Sequence, residues 1–242
     1  MSCRVLLYAV VAAVAAGIPG EVRADPMREG ECIILVGGVS LRSLEKYRFP
    51  GDRHDNWWLN FVRPARLRVQ DLQRRYGPDI PITLLVYRPA YERRQREEGG
   101  RMIANIESIR TTYGVNLVWV HSGDDVIRYL NSGKPRSRTK IVNFEYFGHS
   151  NKFCFMLDYG SEILGASKAW LHEDMLSRIK GSSFHSQAHI RSWGCHTGES
   201  MSQKFQQTTG KRMWGAVGKT DYSGGDENQM PFLSSPGGYW KF

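Results

Sequence analysis

Lys140-Ile141-Val142-Asn143-Phe144-Glu145-Tyr146-Phe147-Gly148-His149-Ser150 and Ala188-His189-Ile190-Arg191-Ser192-Trp193-Gly194-Cys195-His196 decide how this chain is read. Each begins as a strand-like run and stops at a glycine. The residue after the glycine carries chemistry: an imidazole at 149, a thiol at 195. In open α/β sheets, functional groups gather beyond the carboxyl ends of the strands. Two such ends can bring together a thiol and an imidazole that are remote in sequence, and that pairing makes a nucleophile beside a base.

Working outward, the chain alternates between strand and helix patterns. Glu31 to Val36 is a mostly apolar run ending in Gly37-Gly38, the pattern of a central parallel strand. Arg63 to Tyr76 carries Ala65, Val69, Leu72 and Tyr76 at helical spacing, with Pro64 in the first turn and Gly77-Pro78 as the stop. Pro81 to Tyr87 and Val115 to Val120 predict two more strands. Arg101 to Tyr113, Asp124 to Leu130, Ala169 to Ile179 and Glu199 to Thr209 predict helices, the third on the spacing of Leu171, Met175, Leu176 and Ile179. Arg88 to Gly100 is expected to be a charged loop insertion. Lys211 to Val217 is expected to be a final strand, and Tyr222 to Phe242 a loop-rich tail. The sum is one α/β domain over 25–242: a three-layer sandwich with a mostly parallel central sheet and helices on both faces.

The first 24 residues are expected to lie outside that domain. Arg4 precedes the apolar run Val5 to Ala16, which is short for a membrane span. Val22-Arg23-Ala24 has the small-residue character of a signal-peptidase site, so the expectation is export with cleavage after Ala24. The mature chain is then secreted or periplasmic and has no transmembrane segment. Cleavage removes two positive charges and one negative charge, taking the formal net charge from +9 to +8. The clusters Arg93, Arg94, Arg96 and Lys134, Arg136, Arg138 are expected to be solvated loops, so no nucleic-acid partner is expected. Of the four cysteines, Cys32, Cys154 and Cys195 remain after cleavage. An odd number leaves at least one unpaired within the chain, and Cys195, among glycines, is the expected free thiol. Cys32 and Cys154 are open to either a mutual bridge or plain burial.

This order of parts resembles the clan CD cysteine peptidases, the caspase-like group of caspases, metacaspases, clostripain, gingipains and CHAT domains. That group has a histidine after one hydrophobic strand, usually as His-Gly, and its cysteine after the next such strand, roughly fifty residues on. Asp124 to Leu130 with Ile141 to His149 looks like the group's helix–strand–histidine block. Leu171 to Ile179 with His189 to Cys195 looks like its helix–strand–cysteine block. The resemblance covers about Ile33 to Val217 and implies a caspase-like fold and a peptide or protein substrate. There are departures: Ser150 stands where the group usually has glycine, Trp193-Gly194 precedes the cysteine, and one strand among Ile82–Tyr87 and Val115–Val120 is extra.

The chemistry expected is peptide-bond cleavage through an acyl-thioester on Cys195, with His149 as general acid and base. Backbone N–H groups of Gly148, Ser150 and Cys195 are candidate oxyanion donors. A helix starting just after Cys195 is expected to favour the thiolate. Asp221 and Asp226 are candidate substrate-binding acids, selecting Arg or Lys. The chemistry needs no cofactor, and no metal is expected: His172, His185 and His189 lack zinc-ligand spacing, and the calcium that some members of the resembling group use has no visible loop here. His121 is the rival base. His196 is expected to be structural. His54-Asp55, beside Trp57-Trp58, can line a cleft or belong to the core. The competing reading is a catalytically silent caspase-like protein that binds a partner in the cell envelope, because fold alone does not establish activity.

Overall fold

The computed structural model describes residues 29–50, 53–159, 169–224 and 228–242, without the side chain of His54. The expected signal segment, 1–24, lies outside the described residues. Strand β1 (Glu31–Val36) is buried at every position. It leads past Gly37-Gly38 to a one-turn helix, α1 (Arg42–Glu45), and then to α2 (Val62–Tyr76). β2 (Ile82–Tyr87), α3 (Arg88–Glu98), α4 (Met102–Tyr113), β3 (Asn116–Val120), α5 (Gly123–Ser132) and β4 (Ile141–Phe147) follow. The chain then makes β5 (His149–Ser150), β6 (Cys154–Asp158) and β7 (Ala169–His172), an antiparallel three-stranded sheet. β8 (Phe184–Ser192), α6 (Met201–Thr209), β9 (Gly215–Val217), β10 (Thr220–Asp221), β11 (Phe232–Leu233) and β12 (Tyr239–Lys241) complete it.

The central sheet has the order β3-β2-β1-β4-β8, and all its pairs are parallel. Side chains alternate across it into two cores. One core joins Ile33 and Leu35 of β1 to Val126, Ile127 and Leu130 of α5 and to Met201 and Phe205 of α6. The other joins Ile34 and Val36 to Val62, Ala65, Val69 and Leu72 of α2 and to Ile106 and Ile109 of α4. Helices therefore cover both faces, which is the three-layer α/β arrangement read from the sequence. Full burial of each Val, Leu or Ile contributes about 1.5–3 kcal/mol.

Four expectations are corrected. Most of the segment 88–100 is a helix, Arg88–Glu98, and not a loop. Ala90, Tyr91 and Arg94 form its buried side, and Arg94 is fully enclosed. The guanidinium donates to the carbonyls of Ser40 (2.7 Å), Asp55 (2.5 Å) and Asn56 (3.0 Å) and pairs with Glu98 (2.8 Å). Arg136 is likewise buried rather than solvated, bonded at 2.5 Å to Glu31, which is itself fully buried on β1. The segment 169–179 is not an α-helix: β7 pairs with β6, and a 3₁₀ stretch, Glu173–Arg178, follows. The tail is not all loop, since β11 and β12 pair with β10 and β9. Among the described residues no helix is long and apolar enough to cross a membrane.

Candidate active site

β4 and β8 are hydrogen-bonded neighbours, in register from Asn143↔His189 to Tyr146↔Ser192. Their carboxyl ends therefore come out side by side. β4 continues through Gly148 to His149 and Ser150; β8 continues through Trp193 and Gly194 to Cys195. Two cross-links hold the ends together. The Ser150 hydroxyl donates to the Cys195 carbonyl at 2.7 Å. The Tyr222 hydroxyl donates to the Trp193 carbonyl (3.1 Å) and accepts from the Gly148 N–H (3.3 Å). Ser150 also accounts for the adjacent glycine: a Cβ at Gly194 would collide with the Ser150 hydroxyl and lie 3.0 Å from the Gly148 carbonyl. The serine that departs from the His-Gly pattern thus joins the histidine turn to the cysteine turn.

His149 is largely buried and its ring is fixed on three sides. Phe61 meets it edge-on with centroids 4.8 Å apart, and Tyr159 lies over it at 4.1 Å. Its Nε2 lies 2.7 Å from Oδ2 of Asp55, which is fully buried. Burial alone would raise the Asp55 carboxyl. The His149 charge and hydrogen bond, the Ser40 N–H (2.7 Å) and Arg48 outweigh it and hold the carboxyl well below the usual carboxylate range. Asp55 is carried on a short 3₁₀ turn, His54–Asn56. That turn is anchored from below by Glu45, which accepts the Asp55 N–H at 3.0 Å, and by Arg94 on the Asp55 carbonyl. A buried carboxylate on one imidazole nitrogen fixes both ring orientation and tautomer, the arrangement that prepares an imidazole for proton transfer.

Cys195 is partly exposed and unpaired. Its sulfur accepts the Thr220 N–H at 3.4 Å and lies 3.5 Å from the Thr220 hydroxyl, which itself donates to the Trp193 carbonyl at 2.8 Å. The expected helix-dipole contribution is corrected: α6 begins only at Met201, beyond an intervening turn, and the dipole effect falls off within a helix's first turn. Cys32 and Cys154 are free and buried, with burial pushing their thiols up to about 12 and about 11. They do not bridge.

Of the proposed oxyanion donors, the Gly148 N–H is occupied by Tyr222. The Cys195 N–H has no acceptor among the described residues. Asp221 lies on β10 directly after Thr220, and its carboxylate accepts the Ser223 N–H at 2.6 Å. Asp226 lies outside the described residues. His121 follows the outer strand β3, with β2 and β1 between it and β4, so the structure separates it from Cys195. His196 adopts a left-handed backbone (φ 61°) and its ring bonds Glu199 at 2.6 Å, bracing the turn after the cysteine.

Sequence reasoning left Asp55 undecided and did not single out Thr220 or Tyr222. Asp55 lies 94 residues from its histidine. The available signal was an acidic residue within an aromatic-flanked loop after β1. No protein-family model and no curated protein matches this chain.

Proposed function

We propose that the protein is a caspase-like cysteine peptidase, with Cys195 as nucleophile, His149 as acid/base and Asp55 as the residue that orients His149. The observation that carries this reading is the juxtaposition of the two strand ends, β4 with its Asp55-held imidazole and β8 with its accessible thiol. The Cys195 thiolate attacks the scissile carbonyl carbon, and the Cys195 N–H, with that of Ser150, stabilises the oxyanion. Collapse of the tetrahedral adduct breaks the C–N bond, and His149 gives its proton to the departing amine. Water then attacks the thioester while His149 takes its proton, releasing the acid and restoring the thiol. Asp221, next to Thr220, is the residue offered to a basic substrate side chain. The apolar run and the Ala24 site support export of the mature chain.

A library of quenched peptides tests the proposal. Cleavage by the wild type that is abolished in both Cys195→Ala and His149→Ala supports it. An intact fold with no cleavage and no labelling by thiol-directed peptide electrophiles favours the silent binding protein instead.

A further inference from the structure

On the α2 face of the sheet lies a recess of about 600 Å³. α2 forms one wall with Arg68, Asp71, Arg74 and Arg75, and the β4–β8 edge forms the floor with Asn143 and Arg191. Asn143 is 1% exposed, and neither its amide nitrogen nor its amide oxygen has a hydrogen-bond partner. An unpaired buried amide is destabilising, whereas an apolar residue would pack at that position without that penalty. The Arg191 Nε is a second buried donor without a partner, on the same floor. Its guanidinium is clamped between Trp193 (3.7 Å) and Trp240 (4.0 Å), so its direction is fixed before anything binds. Four guanidinium groups border the recess. Asp71 holds Arg68, Arg74 and Arg75, and Glu145 also holds Arg68, which leaves an excess of positive charge.

We propose that this recess is a binding site for a small hydroxylated oxyanion, a hydroxycarboxylate or a sugar phosphate. The arginines take the anionic group, and Asn143 takes a hydroxyl, which supplies one donor and one acceptor to match the two idle atoms of the amide. The site is independent of the peptidase proposal, because none of its side chains belongs to the Cys195–His149–Asp55 group.

Calorimetric titration of the full chain with citrate and with ribose 5-phosphate tests the site and separates the carboxylate source from the phosphate source. At least one probe is expected to bind saturably at or below about 10 mM. Binding is expected to weaken about tenfold in Asn143→Leu and in the exposed double variant Arg74→Gln/Arg75→Gln, the second guarding against a folding defect in the first. If citrate is the binding probe, tricarballylate, which lacks its hydroxyl, binds more weakly to wild type but equally to Asn143→Leu. No heat from either probe overturns the proposal. So does binding that both variants leave unchanged.

Discussion

The Ser150 hydroxyl lies 2.7 Å from the Cys195 carbonyl oxygen and joins the turn that carries the imidazole to the turn that carries the thiol. Gly194 is the partner of that contact, since any larger residue there would displace the hydroxyl. Gly194→Ala is therefore expected to cost stability in the wild type and less in a Ser150→Gly background. Chemical denaturation of the four proteins of the cycle should give a coupling of about 1 kcal/mol. Additive effects would show that the two turns are not joined in this way.

Asp55→Asn is expected to lower kcat by a factor on the order of 10²–10⁴, with KM little changed, because the amide no longer holds the imidazole in one tautomer. Cleavage kinetics on a peptide selected from the library provide the measurement.

Acid should destabilise the fold partly through the same carboxyl. Asp55 is held below its unfolded value of about 3.9. Its ionisation therefore favours the folded state above about pH 4, and that contribution disappears as pH falls through the folded value. Asp71, held low against burial by Arg75, Arg68 and Arg74, and Glu97, held low against burial by the Ser43 hydroxyl and the Ser43 and Arg42 N–H groups, act in the same direction. Urea midpoints measured from pH 7 down to pH 3 should fall less steeply for Asp55→Asn than for wild type.

Arg94→Met is expected to destabilise by about 3 kcal/mol, because it orphans the carbonyls of Ser40, Asp55 and Asn56 that the guanidinium serves. Since the Asp55 turn rests on that guanidinium, activity should fall along with the melting temperature.

The segments that spoke plainly in the sequence were those whose local pattern and tertiary role agree. β1 and β2 are apolar because both faces are covered, and α2 shows one apolar stripe because one face is covered. His149 and Cys195 were legible because a reactive residue after a strand and a glycine is a local signal. Long-range partners hid the rest. Arg93, Arg94 and Arg96 look like solvent-facing charge until the carbonyls of residues 40, 55 and 56 fold over Arg94. Leu171, Met175, Leu176 and Ile179 have helical spacing, yet pairing with β6 draws Ala169–His172 into a strand. β11 and β12 are too short, and too rich in neighbouring glycine and serine, to show a period. Asp55 is chemically ordinary in sequence and becomes significant only because the 3₁₀ turn delivers it to a ring on another strand.

Alkylation of folded protein at pH 8, mapped by peptide mass, should modify Cys195 and spare Cys32 and Cys154, whose thiols are buried and pushed up to about 12 and about 11. Equal modification of all three would mean that Cys32 and Cys154 are not shielded in the folded protein.

The rate of Cys195 alkylation by iodoacetamide at pH 6.5, compared between wild type and a folded His149→Ala variant, probes the shared rim most directly. If imidazole and sulfur act on one another, the variant reacts at least about tenfold more slowly. Equal rates in the two proteins would mean that the thiol does not sense His149, and the assignment of the pair would fail.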